Sequence, residues 1–186
     1  IFGINCSGAL SATLIPQRWS GSWDDNLALA RMADEAGLDF MMPLGRWRGY
    51  GGKTDHNGSA FETLTWAAGL LASTRAINVF GTVHVTLFHP VLAAKQMATV
   101  DHIGRGRFGL NIVCGWNKPE YDMFGLDLPE GGNQRYAFAQ EWWDIVRRIW
   151  TEEKPFNWSG RFFQLRNVHG APRPWGDTLP PILNAG

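Results

Sequence analysis

The sequence predicts an α/β domain built on a parallel β-sheet. Three observations predict it. Short apolar runs begin near residues 1, 38, 77 and 108, each is followed by a segment whose apolar residues recur at helical spacing, and several runs end in polar residues. A recurrence of roughly thirty to forty residues is the length of a strand, a helix and their loops, the unit that right-handed crossovers join into a parallel sheet. Strands of that kind are covered on both faces, so near-continuous apolar runs are expected of them.

The first run, IFGIN, reads as a buried strand. Ser22 with Asp25 three residues later resembles a capping box, and Leu27, Ala30, Met32, Ala33 and Ala36 carry a first helix to Gly37. LDFMM is a second strand. The glycine-rich loop PLGRWRGYGGKTDHNG then leads to Ser59 and Glu62, a second capping pair, ahead of Phe61, Leu64, Ala68 and Leu71 on a helix ending near Ser73. INVFGTV is the third strand. Pro90 suits the first turn of a helix carrying Val91, Ala94, Met97 and Ala98. FGLNIVC is the fourth strand, and a fourth helix spans about Arg135 to Trp150 with Phe138, Trp142, Ile145 and Ile149 on one face. KPFNWSGRFFQLRNV suggests a small inserted hairpin turning at Ser159 and Gly160, before PPILNAG as the fifth strand. Periodicity leaves two architectures open: a doubly wound five-stranded sheet, or slightly more than half of an eight-stranded barrel.

The 186 residues, 45% hydrophobic and 18% charged, are enough for one well-packed domain. Seventeen basic and seventeen acidic side chains cancel, which removes the electrostatic footprint of a nucleic-acid or anionic-membrane partner. No apolar run is long enough to cross a bilayer. Cys6 and Cys114 are isolated thiols, in keeping with a reducing, cytoplasmic setting.

In either architecture ligands bind at the carboxyl ends of parallel strands. Polar residues gather there: Asn5 and Cys6, Thr82 and His84, Asn111 followed by Cys114, Gly115 and Trp116, then Asn184 and Gly186. Gly115 is expected to let backbone approach a ligand closely. The glycine-rich loop matches neither nucleotide-binding spacing, no set of His, Cys and acidic residues has the spacing of a metal site, and no nucleophile elbow is present. Asp101 and His102 tempt as an acid-base pair but fall before the fourth strand, on the stability face of the sheet, where anchoring is the expected role. So few catalytic candidates suggest that a cofactor carries the chemistry.

The combination GRGRFGLNIVCGWNKPEYDMFG, then QRYAFAQEWWDIVRRIW, then PPILNAG resembles the bacterial luciferase-like family of flavin-dependent monooxygenases over essentially the whole chain. The RGYGGKT loop and the AAKQMATVDH segment are most similar to the branch holding pyrimidine-ring-opening and sulfone or sulfonate monooxygenases. The resemblance implies a TIM-type (β/α)8 barrel, of which residues 1–186 are the N-terminal part of a single domain, ending after the fifth strand. It implies reduced FMN at the carboxyl rim, delivered by a separate flavin reductase, with dioxygen and a small organic substrate, a heterocycle or organosulfur compound, as co-reactants. It also implies a homo-oligomer at full length.

Under this resemblance Asn111 and Thr82 face the flavin ring, Gly45, Arg46 and Glu120 lie near the cofactor, and Arg135 and Tyr136 at the start of the fourth helix suit its ribityl and phosphate end. No catalytic side chain is assigned. The His that the luciferases place after the second strand is absent, with Gly45 and Arg46 in that loop instead, which argues against light emission. Two other readings are a deazaflavin- or flavin-dependent hydride-transfer enzyme on the same barrel, and a non-catalytic binding fragment.

Overall fold

The computed structural model describes residues 1–128 and 131–185. The first predicted strand is reduced to a single parallel bridge between Phe2 and Met42. Beyond it the chain turns back at once, with Ala9 N–H donating to the Cys6 carbonyl at 3.0 Å. The first helix, α1 (Trp23–Glu35), starts where predicted, with the Ser22 hydroxyl accepting from Asp25 N–H at 3.2 Å. The reciprocal half of the capping box differs: Ser22 N–H donates to the Ser20 hydroxyl at 2.9 Å, and Ser20 donates to the Asp25 carboxylate.

Strand β1 (Phe40–Met41) is followed by the long loop and by α2 (Thr63–Ser73). Helix α2 starts three residues later than a cap at Ser59 would place it. Its cap is Glu62, whose carboxylate accepts from Leu64 N–H at 3.0 Å and Thr65 N–H at 2.7 Å. Ser59 is committed elsewhere, its N–H to the Ser7 hydroxyl and its carbonyl to Ser7 N–H. Next come β2 (Asn78–His84), α3 (Pro90–Gly104) with proline in its first turn, and β3 (Phe108–Val113). A short helix, α4 (Lys118–Met123), occupies a stretch to which the sequence pattern assigns no element, because six residues carry too little apolar periodicity to register. Helix α5 (Gly132–Thr151) is followed by the expected antiparallel hairpin, β4 (Phe156–Ser159) and β5 (Gln164–Val168), then by β6 (Ile182–Ala185).

The main sheet has the order β1-β2-β3-β6, all parallel. Each strand joins beside its predecessor, and the Phe2–Met42 bridge continues the order at the other edge. A doubly wound sheet reverses direction at a switch point. This one does not, so its winding is that of a barrel.

Helix α2 packs on β2 and α3, and α3 packs on β3 and α5. Between sheet and helices lies the core, including Leu64, Leu70, Val79, Val83, Met97, Phe108 and Leu110. Trp142 and Trp150 of α5 are buried against the α3 layer, their indole N–H groups donating to the carbonyls of Phe88 at 2.8 Å and Ala94 at 3.1 Å. The hairpin is hung from α5 by Glu141, whose carboxylate accepts from Trp158 Nε1 and from the N–H groups of Arg161, Phe162 and Phe163.

Asp101 and His102 have the anchoring role expected of them. The buried Asp101 carboxylate accepts from Trp175 N–H at 2.8 Å and Phe108 N–H at 3.4 Å, and His102 Nε2 pairs with the Arg173 carbonyl at 2.8 Å. All of these contacts lie at the amino end of β3. Asp101→Asn turns an amide N–H2 toward donors that need an acceptor, so urea unfolding should register a loss of about 1–3 kcal/mol. A second expectation concerns the thiols. Burial pushes the Cys6 thiol up to about 12 and raises that of Cys114, so neither should react with a thiol reagent at neutral pH until denaturant is added.

Candidate functional site

Thr82 and Asn111 are register partners on adjacent parallel strands, so their side chains leave the sheet on the same face, opposite the helices. Asn111 Nδ2 donates to Thr82 Oγ1 at 3.2 Å, and the Thr82 hydroxyl donates to the Pro43 carbonyl at 2.7 Å. Both residues are buried. The pair therefore holds the Asn111 amide in one orientation, while its Oδ1 has no partner among the described residues.

The loop after β1 closes over this pair. Glu120 on α4 is 1% exposed, and one of its oxygens accepts from Trp47 N–H at 2.8 Å, Arg48 N–H at 3.2 Å and the Arg46 guanidinium at 3.3 Å. Side-chain exposures of 7% for Arg46 and 2% for Glu120 make this a buried ion pair, far stronger than a surface one in what its rupture costs. Arg46 lies between aromatic faces, with Tyr50 at 5.0 Å and Trp116 at 5.4 Å from its guanidinium carbon. Its Nε is buried without a hydrogen-bond partner among the described residues. Gly45 is a glycine for a steric reason: a Cβ there would fall 2.6 Å from His84 Cε1 and 2.9 Å from Thr82 Cγ2.

Arg135 and Tyr136 sit just inside the start of α5, Arg135 partly buried and Tyr136 about half exposed. The Arg135 charge acts on the Cys114 thiol and the Tyr121 hydroxyl, which places it at the carboxyl end of β3. Gly45, Arg46, Thr82, Asn111, Glu120 and Arg135 thus converge on one rim. Trp47 and Trp116 lie there too, Trp47 in edge contact with Phe124 at 5.1 Å.

Three strand-end residues have other work. Asn5 is wholly buried and spends its amide on the chain, donating to the carbonyls of Leu44 at 2.8 Å and Phe61 at 3.3 Å and accepting from Leu44 N–H at 2.9 Å. Gly115 has φ +83°, and a Cβ there would come within 1.9 Å of the Tyr121 hydroxyl, so the close approach it permits is to Tyr121 and not to a ligand. Asn184 is paired in register with Ile112, on the helix-facing side, away from Thr82 and Asn111. Gly186 lies outside the described residues.

One inward-facing residue, named from the sequence with Thr82 at the end of the third strand, was given no specific role there. His84 lies two positions beyond Thr82 on the same face of β2 and is 5% exposed. Strand alternation places it on the face of Thr82. Burial pushes its imidazole below the ordinary histidine value, the Glu120 charge opposing and the Arg46 charge reinforcing that shift.

The chain matches the luciferase-like monooxygenase family over residues 1–186. It is 36% identical over 184 residues to pyrimidine monooxygenase RutA of Allorhizobium ampelinum, covering 98% of this chain and 49% of that protein. It is 39% identical over 176 residues to RutA of Methylobacterium radiotolerans, covering 92% and 45%. Among solved structures, riboflavin lyase RcaE superimposes with a TM-score of 0.85 at 22% identity, covering 100% of this chain and 49% of that one. EDTA monooxygenase EmoA from Chelativorans sp. BNC1 gives 0.82 at 20% identity, covering 100% and 48%. An F420-dependent secondary alcohol dehydrogenase gives 0.74 at 21% identity, covering 88% and 48%. These likenesses carry the fold, a parallel α/β barrel of which this chain spans the N-terminal half, in agreement with the strand order. The chain spans about half the length of the curated relatives it matches. The match along its whole length, with RutA relatives above 30% identity, makes this chain a member of the luciferase-like monooxygenase family.

Proposed function

We propose that this chain forms the flavin-facing part of an FMN-dependent monooxygenase that inserts one oxygen atom into a small organic substrate. The observation that carries the reading is the inward Thr82–Asn111 pair capped by the buried Arg46–Glu120 loop clamp. The donor set fits a flavin. An oriented amide with a spare carbonyl, beside a loop held by a buried ion pair, suits a heterocycle edge of alternating carbonyl and N–H groups.

Bound as its reduced form, FMN would supply the two electrons by which one atom of dioxygen enters the substrate and the other leaves as water. The residues of this chain would do the holding. Asn111, fixed by Thr82, would orient the ring, and Arg46, kept in place by Glu120, would hold the loop against it. Arg135, in the first turn of a 20-residue helix, would meet the phosphate end, where helix N–H groups and a guanidinium favour an anion. Gly45 would let the loop seat low over the rim, and Tyr136, half exposed beside Arg135, would flank the ribityl chain. Trp47, Phe124 and Trp116 would exclude water from the reacting edge.

The RutA relatives are named for pyrimidine oxidation, which favours a planar heterocycle over an organosulfur compound as substrate. A flavin reductase would deliver the cofactor, and the enzyme would act in the cytoplasm as a homo-oligomer. Among the described residues no helix is long and apolar enough to cross a membrane.

Anaerobic titration with reduced FMN tests the cofactor assignment. Asn111→Ala and Arg135→Ala should each weaken binding by about 1–3 kcal/mol, tenfold or more, and unchanged affinity in both variants overturns it. Oxygen uptake by the FMN-loaded protein, absent with a reduced deazaflavin, separates oxygen insertion from hydride transfer. Glu120→Ala leaves Arg46 buried without its counter-charge and frees the loop at residues 46–48. It should cost about 3–5 kcal/mol in thermal or urea unfolding and weaken FMN binding as well. Lowering the pH below the ordinary histidine value should also destabilise the fold. His84 binds its proton less readily when folded than when unfolded, so stability is full above the unfolded value and falls as the pH drops toward the folded one. A His84→Gln variant should lose that component of the unfolding profile.

A further inference from the structure

We propose that His84 is a further ligand-contacting group of this site, an imidazole that exchanges a hydrogen bond with the bound flavin beside Thr82 and Asn111. The inference rests on the flavin reading above and adds a residue to it.

Its placement is fixed by the β2–β3 ladder. Thr82 pairs with Asn111 and His84 with Val113, so all four side chains leave the sheet on the same face. Two residues along a strand is a step of roughly 6.6 Å, which sets the imidazole one step nearer the open end of the strands than the Thr82 hydroxyl. Val113 opposite it is apolar and cannot satisfy it. The residue is 5% exposed, and neither ring nitrogen has a hydrogen-bond partner among the described residues. Polar groups so far withdrawn from bulk solvent are ordinarily matched. Neither nitrogen is among the fully enclosed unsatisfied atoms, so the ring edge still opens to the site.

The surroundings hold the ring rather than bond to it. The Gly45 backbone lies against it so closely that a Cβ would reach within 2.6 Å of Cε1 and 3.1 Å of Nδ1. The charged groups that act on it are Glu120 from α4 and Arg46 from the loop after β1, and these two are already joined to each other. A core histidine kept only for packing would be covered by apolar side chains. This one sits between the ion pair and the Thr82–Asn111 pair, clamped by backbone, with its polar edge unassigned. An imidazole with one donor and one acceptor nitrogen matches either a carbonyl or an N–H of the flavin heterocycle.

The test uses NMR of the histidine ring and FMN fluorescence titration on this chain. Saturating FMN should shift the His84 ring resonances and move their titration midpoint, a change that a residue serving only to pack would not make. His84→Leu should weaken FMN binding about tenfold, while His84→Gln, which keeps a donor and an acceptor, should stay within about threefold of the original chain. Resonances and midpoint unmoved by saturating FMN, or a Leu variant that binds FMN as well as the original, overturn the inference and leave the flavin reading standing. Failure of the unsubstituted chain to bind FMN removes both.

Discussion

The constraint on which the rest depends is the register of the parallel ladder between β2 and β3, running from Val79 opposite Phe108 to His84 opposite Val113. Successive residues on a strand face opposite sides, so this single alignment sends Val79, Val83, Phe108 and Leu110 into the helix layer and Thr82, His84 and Asn111 to the other face. A slip of one residue would bury the polar set among α2 and α3 and expose the apolar set. The apolar core therefore enforces the site. Each valine or leucine seated under a helix is also an argument for where the neighbouring polar side chain must point.

The ladder positions side chains but does not roof them. That task falls to segments remote in sequence: α4 sends Glu120 across to Arg46, Trp47 and Arg48, and Asn5 ties Leu44 to Phe61. Both devices use one buried polar side chain to satisfy several backbone groups of a loop that has no ladder of its own. The loop after β1 is rich in glycine and would be costly to order unaided. Anchored at Leu44 and at residues 46–48, it comes low enough for Gly45 to touch the His84 ring.

The opposite end of the sheet is held by the same means for a different purpose. Asp101 ties α3 and β3 to the segment around Trp175, and the Arg107 guanidinium donates to the carbonyls of Leu71 at 2.9 Å, Thr74 at 3.1 Å and Ile77 at 2.9 Å. Charged residues at that end are consumed by backbone. At the carboxyl end Arg46 Nε, the Asn111 carbonyl and the His84 ring are not consumed by any described group, and this difference marks the functional face.

Much of this was legible in the sequence, because the signals involved are local. The βα recurrence, the Ser22 cap, Pro90 at a helix start and the hairpin at Ser159 and Gly160 depend on neighbours a few residues apart, and so does the polar ending of the strand at Asn111. Family resemblance added Gly45, Arg46, Glu120 and Arg135, which no local pattern would have joined. Tertiary structure alone decided the rest. It reduced the IFGIN run to one bridge, moved the α2 cap from Ser59 to Glu62, turned Asn5 and Gly115 from ligand candidates into scaffold, and set His84 against Gly45. It also separated a barrel winding from a doubly wound sheet. Apart from Gly115, whose neighbour Tyr121 is close in sequence, these turn on which remote group satisfies a buried donor or acceptor or lies in adjacent register. Such pairings are fixed by packing the whole chain at once, and a one-dimensional pattern of side chains does not contain them.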